Sequence, residues 1–241
     1  MSHRWRLAAN RRVLLPRWLE RRAWVRWVDA WKDELIPDQQ LTLAESQVAD
    51  WLAGQQVAPF DVLAELLDEI AERLPSILEV GSSSGYYSEI IKRHRAESRY
   101  VGVDYSQVFC ALGQRRFPTA ALVCADTLSL PIRDAAFPLV ISGSVLLHVH
   151  DWEAALRETL RVTSRYAILH RTPVTSTSTA TFTKKAYGLR LIEWSFNEDD
   201  LLNECERAGF SLVQQFDLNE QAVLSNDGFS PNNRSYLLRR L

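Results

Sequence analysis

Two histidines in this sequence have the side-chain chemistry and the position to take part in a reaction. His148 and His150 follow a predicted strand over residues 137–142. An imidazole titrates near pH 6.5, so its neutral form can accept a proton from a reacting hydroxyl group. A loop or helix-capping histidine accounts for the same pattern equally well. The prediction is a general base, with His148 as the first candidate and His150 as the second.

A short apolar run that breaks into glycine and serine lies near the middle of the chain. Residues 77–87 read Ile-Leu-Glu-Val-Gly-Ser-Ser-Ser-Gly-Tyr-Tyr, the pattern of a buried strand, a tight turn and a helix start. Gly81 and Gly85 permit backbone angles or close approaches that a Cβ atom would obstruct. The N–H groups at a helix start attract polar or anionic ligands. The spacing differs from the dinucleotide fingerprint G-x-G-x-x-G, and such a turn can also be purely structural.

Two carboxylates follow that turn, each at the end of another predicted strand. Asp104 ends the segment 100–104, and an acid about twenty residues beyond a glycine turn is placed to bind ribose hydroxyls. Asp126 follows the segment 120–124. An aspartate after a strand is also a common turn or cap residue. The position of Asp104 relative to Gly81 is therefore what favours ligand binding.

These side chains need an alternating scaffold to bring them together, and the sequence predicts one. Strands are predicted over 77–80, 100–104, 120–124, 137–142, 166–170, 210–216 and 235–238. Helices are predicted over 59–74, 89–95, 106–116, 151–161 and 197–208. This alternation predicts an α/β fold with a doubly wound, mostly parallel sheet. A Ser- and Thr-rich segment, 172–188, interrupts the alternation and is expected to be a loop.

The central turn has the form Glu79-x-Gly81-x-Ser83-x-Gly85. It resembles the first motif of the class I S-adenosylmethionine-dependent methyltransferases, acid-x-Gly-x-Gly-x-Gly, with Ser83 in the place of the middle glycine. The resemblance implies a Rossmann-like sheet of seven strands, of which the last is antiparallel, and S-adenosylmethionine as cofactor. It implies cofactor contacts from Glu79, Gly81, Ser83, Gly85, Asp104, Tyr105, Asp126, Thr127 and Ser142.

Three later segments match the same family in order and spacing. In segment 124–131, the resemblance implies that Asp126 accepts a hydrogen bond from the adenine amino group. It also implies that Asp104, at the end of the second predicted strand, binds the ribose hydroxyls and that Tyr105 packs against the adenine. Segment 137–144 resembles the family's Phe-Asp-x-Val strand. Pro138 replaces the usual Asp, and since proline cannot donate to a β-ladder, the strand is expected to start one residue late. Segment 146–152 resembles the His-x-x-Asp-Trp connection of the small-molecule branch.

Length and composition indicate one domain with an extension. The chain has 241 residues, of which 46% are hydrophobic and 24% charged, as in ordinary globular proteins. We predict an N-terminal helical extension over 1–56 and a methyltransferase domain over 57–241. The net charge of −2 gives no general attraction for nucleic acid. The sequence has no apolar run long enough for a transmembrane helix and no signal-peptide pattern.

The three cysteines lack metal-ligand spacing, so no metal site is expected. Unpaired cysteines are typical of reduced proteins, which predicts a cytoplasmic location. The sequence leaves the oligomeric state open.

The first 27 residues contain eight arginines and one acid, Glu20. A helix is predicted from Arg17 to Leu35, with Pro37 ending it and a second helix over 41–52. The apolar face of the first of these helices, called the tryptophan face, consists of Trp24, Trp27, Val28, Trp31 and Leu35. That face can pack on the neighbouring domain, which is the commoner case, form a lid over an active site, or contact an anionic membrane.

The leading hypothesis is methylation of a small molecule, on oxygen, with a sugar or natural-product intermediate as the acceptor. A non-catalytic cofactor-binding or regulatory protein of the same fold is the alternative. A nucleic-acid methyltransferase is less well supported, because residues 142–145 read Ser-Gly-Ser-Val where an Asn/Asp-Pro-Pro-Tyr/Phe motif would be needed. The identity of the acceptor is left open.

Overall fold

The computed structural model describes residues 13–27, 29–218 and 232–241. In these residues the strands are β1 (Val13–Leu14), β2 (Ser76–Val80), β3 (Arg99–Asp104), β4 (Ala121–Cys124), β5 (Phe137–Gly143), β6 (Thr163–Thr175), β7 (Ala180–Ala186), β8 (Leu189–Asn197), β9 (Phe210–Leu218) and β10 (Asn232–Arg240). The α-helices are α1 (Arg17–Trp27), α2 (Ile36–Leu52), α3 (Ala58–Asp68), α4 (Tyr87–His94), α5 (Gln107–Arg116), α6 (Trp152–Arg161) and α7 (Glu198–Arg207). Single 3-10 turns cover Ala30–Lys32 and Leu146–His148.

The central sheet has the strand order β4-β3-β2-β5-β6-β10-β9. Strands β2 to β6 run parallel to one another, whereas β10 is antiparallel to both of its neighbours, β6 and β9. The predicted α/β fold with a mostly parallel sheet is confirmed. Because the carboxyl ends of parallel strands meet at one edge, the turns after β2, β3, β4 and β5 all lie at that edge, where such folds bind ligands.

Alternate residues of β6 face two different layers of helices. Tyr166 and Ile168 belong to the core formed with α3 and α4, while Ala167 and Leu169 belong to the core formed with α6 and α7. Successive strand residues point to opposite faces, so a strand covered on both sides must be apolar throughout. This explains why residues 166–169 form an uninterrupted apolar run.

Capping residues fix where several helices begin. The side chains of Ser106, Asp151 and Asn197 each accept a hydrogen bond from an N–H in the first turn of α5, α6 and α7 respectively. All three are the first residues of helices predicted from the sequence. Strand β5, in contrast, begins at Phe137 rather than later. It accommodates Pro138 through an irregular register between Phe137 and Leu139, which removes the need for the missing N–H.

Two helix boundaries near the N-terminus differ from prediction. The helix predicted over 17–35 is shorter, since α1 ends at Trp27 and only a 3-10 turn follows. Leu35, predicted on its buried face, is 65% exposed. Pro37 lies in the first turn of α2 instead of ending a helix. A first-turn N–H has no partner within the helix, so proline costs nothing there.

The tryptophan face of α1 packs on the domain. Trp24 is buried, and its ring stacks on Trp194 of β8 with the ring centroids 5.2 Å apart. None of the helices in the described part of the chain is both long enough and apolar enough to cross a membrane. The burial of Trp24 against Trp194 shows that the tryptophan face packs on the domain, as expected. Val28, predicted on the same face, lies outside the described residues.

A β-hairpin replaces the loop predicted over residues 172–188. Strands β7 and β8 pair antiparallel, β1 pairs with β7, and β8 pairs in parallel with the end of β6. Tyr187 and Gly188 form the turn with φ angles of 53° and 76°, the left-handed pair that suits a two-residue hairpin turn. Threonines favour strands as well as loops, which is why the composition alone was misleading. Residues 219–231, between β9 and β10, lie outside the described residues.

Candidate functional site

The turn after β2 has a backbone that only small residues suit. Gly81 has a φ of +73°, and a Cβ atom there would lie 2.4 Å from the Cβ of Val145. Gly85 has a φ of +78°. Ser83, in the place of the family's middle glycine, has a φ of +47°, in the left-handed region that glycine prefers. The serine therefore keeps the backbone that the glycine motif requires, at a conformational cost.

Replacing Ser83 by glycine is expected to stabilise the protein by about 1 kcal/mol, because glycine adopts positive φ without a Cβ clash. The urea midpoint should rise, and cofactor binding should be retained. Ser84 is the matched control, because it is fully buried but does not have a positive φ angle. Its change to glycine is expected to destabilise. Equal losses of stability in the two variants would contradict the strain at Ser83.

The carboxylate of Asp104 joins the ends of β2 and β3. Its Oδ2 accepts a hydrogen bond from the Ser83 N–H at 2.8 Å, and its Oδ1 accepts one from the Ser106 N–H at 2.9 Å. Burial raises the pKa of Asp104, while the two N–H groups oppose that shift. Each carboxylate oxygen can accept a further hydrogen bond. The group is thus held rigidly and retains acceptor sites for two neighbouring hydroxyls.

Several buried hydroxyl groups lie around this edge without a hydrogen-bond partner among the described residues. They are the side-chain oxygens of Ser83, Ser84, Thr127 and Ser142. Buried polar groups in native proteins are nearly always paired, so a cluster of orphaned groups indicates a polar ligand. Together with the narrow glycine turn and Asp104, this set fits a nucleoside-containing cofactor.

Glu79 is a buried carboxyl group directly beneath the turn. The Tyr100 hydroxyl donates a hydrogen bond to its Oε2 at 2.5 Å. Desolvation raises the pKa of Glu79 to about 8, with the nearby Asp104 charge acting in the same direction and the Tyr100 hydrogen bond opposing it. Glu79 is thus largely protonated at neutral pH in the unliganded protein.

Tyr105 and the loop after β4 lie on the other side of Asp104. The Lys32 ammonium lies 5.1 Å from the centroid of the Tyr105 ring, so the N-terminal segment reaches this part of the site. Asp126 is exposed, and its Oδ1 accepts a hydrogen bond from the Leu128 N–H at 2.9 Å. These positions leave the Tyr105 ring at the site's edge and Asp126 accessible to a ligand.

His148 lies in the 3-10 turn after β5, next to the hairpin. Its Nδ1 lies 3.2 Å from the backbone oxygen of Ile192, and its Nε2 lies 3.8 Å from Oε1 of Glu193. A carbonyl oxygen can only accept, so Nδ1 must carry the hydrogen in the neutral ring. Nε2 is then the basic nitrogen. The Trp31 ring covers the imidazole edge-on, with the ring centroids 4.7 Å apart.

The other two histidines near this edge have different surroundings. His150 is exposed and contacts the Trp24 ring at 5.5 Å between centroids. His170 is completely buried, and its Nδ1 lies 2.9 Å from the Ser235 hydroxyl. Burial and the charge of Arg171 lower the pKa of His170 to about 3. Of these histidines, His148 alone lies against the buried side of the hairpin.

The hairpin and the end of β6 contribute charged groups that sequence reasoning did not place. Glu193 is buried and forms an ion pair with Lys184 of the paired strand. Burial raises the pKa of Tyr87, and the Arg171 guanidinium opposes this through its charge and a hydrogen bond to the phenol. Glu193 had no sequence signal, because its partners come together only through the hairpin register.

Metal binding has no support from side-chain clustering. The described residues include no group of three or more His, Cys, Asp or Glu side chains positioned to hold a metal ion.

Comparisons with known proteins agree with this geometry. A sequence-family model described as a methyltransferase domain matches residues 78–169. A malonyl-[acyl-carrier protein] O-methyltransferase of Halorhodospira halophila is 31% identical over 124 residues, 50% of this chain and 42% of that protein. The norajmaline N-methyltransferase of Rauvolfia serpentina is 25% identical over 131 residues, 52% of this chain and 44% of that protein. The chain thus spans less than half the length of both curated relatives.

A solved structure shares the fold over most of the chain. Magnesium protoporphyrin IX methyltransferase from Synechocystis PCC 6803, with bound S-adenosylmethionine, has a TM-score of 0.57 and 15% identity. The match covers 86% of this chain and 84% of that one. At this level of identity the likeness concerns the architecture alone.

Proposed function

Because this chain belongs to the class I S-adenosylmethionine-dependent methyltransferases, with S-adenosylmethionine as the cofactor, we propose that it methylates an oxygen atom of a small-molecule acceptor. A sugar or a natural-product intermediate is the acceptor class we favour. The observation that supports oxygen as the acceptor atom is the 3.2 Å contact between Nδ1 of His148 and the backbone oxygen of Ile192, from which the tautomer is assigned. Nε2 of His148 is unprotonated in the neutral ring and lies at the same strand edge as the proposed cofactor site.

In this proposal the cofactor is held by the three turns after β2, β3 and β4. The carboxylate of Asp104 holds the ribose hydroxyls, Tyr105 packs on the adenine, and Asp126 with Thr127 binds its polar edge. The turn from Gly81 to Gly85, with Ser83, permits close approach of the methionine part, which Glu79 and Ser142 also contact. The bound cofactor supplies a methyl group that is activated by its positively charged sulfur.

The protein's own contribution to the reaction is alignment and removal of a proton. Holding the acceptor oxygen in line with the methyl carbon converts a bimolecular step into an effectively unimolecular one. As the new carbon–oxygen bond forms, the bond between the methyl carbon and the cofactor's sulfur would break with its electron pair left on the sulfur. The acceptor's O–H bond breaks as well, and its proton moves to Nε2 of His148. The resulting imidazolium donates through Nδ1 to the Ile192 oxygen and lies beside the Glu193 carboxylate. His150 remains the second candidate base.

We also propose that residues 1–56 act as a cover for the domain formed by 57–241. The supporting observation is the 3-10 turn Ala30–Lys32, whose Trp31 contacts His148 while Lys32 lies over Tyr105. Trp31 also contacts Tyr187 at the hairpin tip, with the ring centroids 5.8 Å apart. An aromatic cover of this kind excludes water from the reacting atoms.

A cytoplasmic location is part of the proposal. Cys110, Cys124 and Cys205 are free thiols, as is typical of a reducing compartment.

The cofactor site is tested by replacing Asp104 with asparagine. Hydrogen bonds to a charged group contribute about 1.5–3 kcal/mol, so affinity for S-adenosylhomocysteine should fall roughly 10- to 100-fold. At about 100 times the wild-type dissociation constant the ligand adds about 2.7 kcal/mol of stability, a gain that should shrink to below about 1.5 kcal/mol in the variant. Thermal unfolding and calorimetric titration measure this. Asp199, exposed in α7, is the control. An unchanged ligand shift in Asp104→Asn would contradict the assignment.

Methyl transfer itself is tested with S-adenosylmethionine that carries a radiolabelled methyl group. The acceptor panel pairs hydroxyl compounds, including sugars and phenols, with matched amines and thiols. Label transfer to hydroxyl members supports the proposal, and transfer to amines alone overturns oxygen as the acceptor atom. Cofactor binding without transfer to any member of the panel would favour the non-catalytic alternative.

A further inference from the structure

The outer face of α1 combines arginines with exposed apolar side chains. Trp18, Arg21, Arg22 and Val25 follow the spacing i, i+3, i+4 and i+7, so they form one stripe on the helix. Trp18 is 74% exposed and Val25 is 77% exposed. These four residues, together with the exposed Arg17 and Arg26 beside them, are called the outer face of α1 below. This face is distinct from the side of the helix that packs on the domain through Trp24.

The neighbouring structure extends this face and keeps it cationic. Val13 and Leu14 of β1 are also exposed. The guanidinium groups of Arg26 and Arg190 lie 5.6 Å and 5.4 Å from the centroid of the Trp27 ring. Glu20 is the one acid within α1, and it is half-buried.

The acids that follow α1 lie beyond the end of the helix. The Asp29 charge is paired with Lys32 at 2.7 Å, and Asp33 accepts a hydrogen bond from the Leu35 N–H at 2.9 Å. Asp33 and the exposed Glu34 keep their charges, but neither belongs to the outer face of α1.

We propose that the outer face of α1 binds the surface of an anionic lipid bilayer. Tryptophan is favoured at the membrane–water interface, because its ring is amphipathic and lies at the depth of the headgroups. Arginine keeps its charge among the lipid phosphates while its aliphatic part covers apolar surface. Each cationic side chain near an anionic membrane strengthens binding roughly fivefold. The face thus supplies both of the attractions that peripheral binding needs.

The size and shape of this face favour a lipid surface over a folded protein. α1 has 11 residues, which at about 1.5 Å per residue is a length of roughly 16 Å. A stable protein interface typically buries about 800 Å² on each partner, more than one side of so short a helix provides. A convex ridge also needs a complementary groove on a folded partner, whereas lipid headgroups adapt to it. Because Trp24 already anchors the helix, binding requires no folding of α1.

This inference is independent of the methyltransfer proposal and is tested without an acceptor. The full-length protein is sedimented with sucrose-loaded vesicles of phosphatidylcholine alone or of an equal mixture with phosphatidylglycerol. Binding is expected to the mixed vesicles at low salt, and to weaken as salt increases. Arg21→Gln with Arg22→Gln should lower the partition coefficient about tenfold or more. Trp18→Ser with Val25→Ser should also lower it.

Matched pairs elsewhere on the surface provide the controls. Arg115→Gln with Arg133→Gln removes two exposed arginines, and Leu212→Ser with Val213→Ser removes two exposed apolar side chains. Both control pairs should bind vesicles as the wild type does. Failure of the wild type to bind mixed vesicles at low salt would overturn the proposal and favour an acidic protein partner. An equal loss in the control pairs would overturn the role of α1.

Discussion

Methyl transfer to a hydroxyl acceptor is expected to slow by about 10²–10⁴-fold when His148 is replaced by asparagine, the range over which a positioned general base contributes. Asparagine places an N–H donor close to where Nδ1 now faces the Ile192 oxygen, so the local contact can persist. What it removes is the basic Nε2. The affinity for S-adenosylhomocysteine should therefore stay within a factor of a few of the wild-type value. Initial rates at saturating cofactor, together with calorimetric titration, measure the two effects separately.

His150→Asn is the matched control for this prediction. His150 is exposed beside Trp24, and its loss should leave the rate nearly unchanged. The opposite pattern, with the large loss at His150, would transfer the role of base to that residue. If neither variant slows the reaction, the acceptor needs no general base from this turn, and the proposed proton transfer to His148 is wrong.

Glu79 is expected to make the stability of the protein fall as pH rises between about 5 and 8. Its pKa is raised from 4.5 to about 8 in the folded state, chiefly by burial. Between these pH values the unfolded chain releases the proton that the folded chain keeps. The free energy of unfolding therefore falls by up to about 1.4 kcal/mol per pH unit. The stabilising contribution is complete below pH 4.5 and is lost as pH rises through the folded-state pKa. The loss over the whole interval is on the order of 4 kcal/mol.

Glu79→Gln tests this prediction, because the amide keeps an acceptor for the Tyr100 hydroxyl but does not ionise. Urea unfolding at a series of pH values should show that the free energy of unfolding of the variant, relative to that of the wild type, increases as pH rises. The control is Glu72, whose carboxylate accepts a hydrogen bond from Tyr166 at the surface and whose pKa is lowered. In Glu72→Gln the advantage of the wild type should be present at neutral pH and should shrink as pH falls into the acid range. Parallel curves for wild type and Glu79→Gln would show that Glu79 is not protonated by burial.

Local patterns in the sequence were sufficient to predict the central sheet and the turns at its edge. Residues 166–169 are apolar without interruption, and residues 77–80 are apolar except for the buried Glu79, because both faces of the sheet are covered. That pattern is visible without coordinates. The caps at Ser106, Asp151 and Asn197 depend on backbone groups only three residues away, so they too could be predicted. The proposed cofactor residues follow strand ends in a regular order, and a parallel sheet places strand ends together.

The acceptor side could not be predicted in the same way. Glu193 and Lys184 meet across the register of β7 and β8, and Trp31 reaches His148 from a segment more than a hundred residues away in the chain. Such contacts depend on tertiary packing, and a Ser- and Thr-rich composition is compatible with either a loop or a hairpin. The two faces of α1 were likewise decided by tertiary structure. Periodicity placed Trp24 on the predicted packing face and assigned no role to Trp18. The position of β8 determines that Trp24 is buried, while Trp18 is exposed.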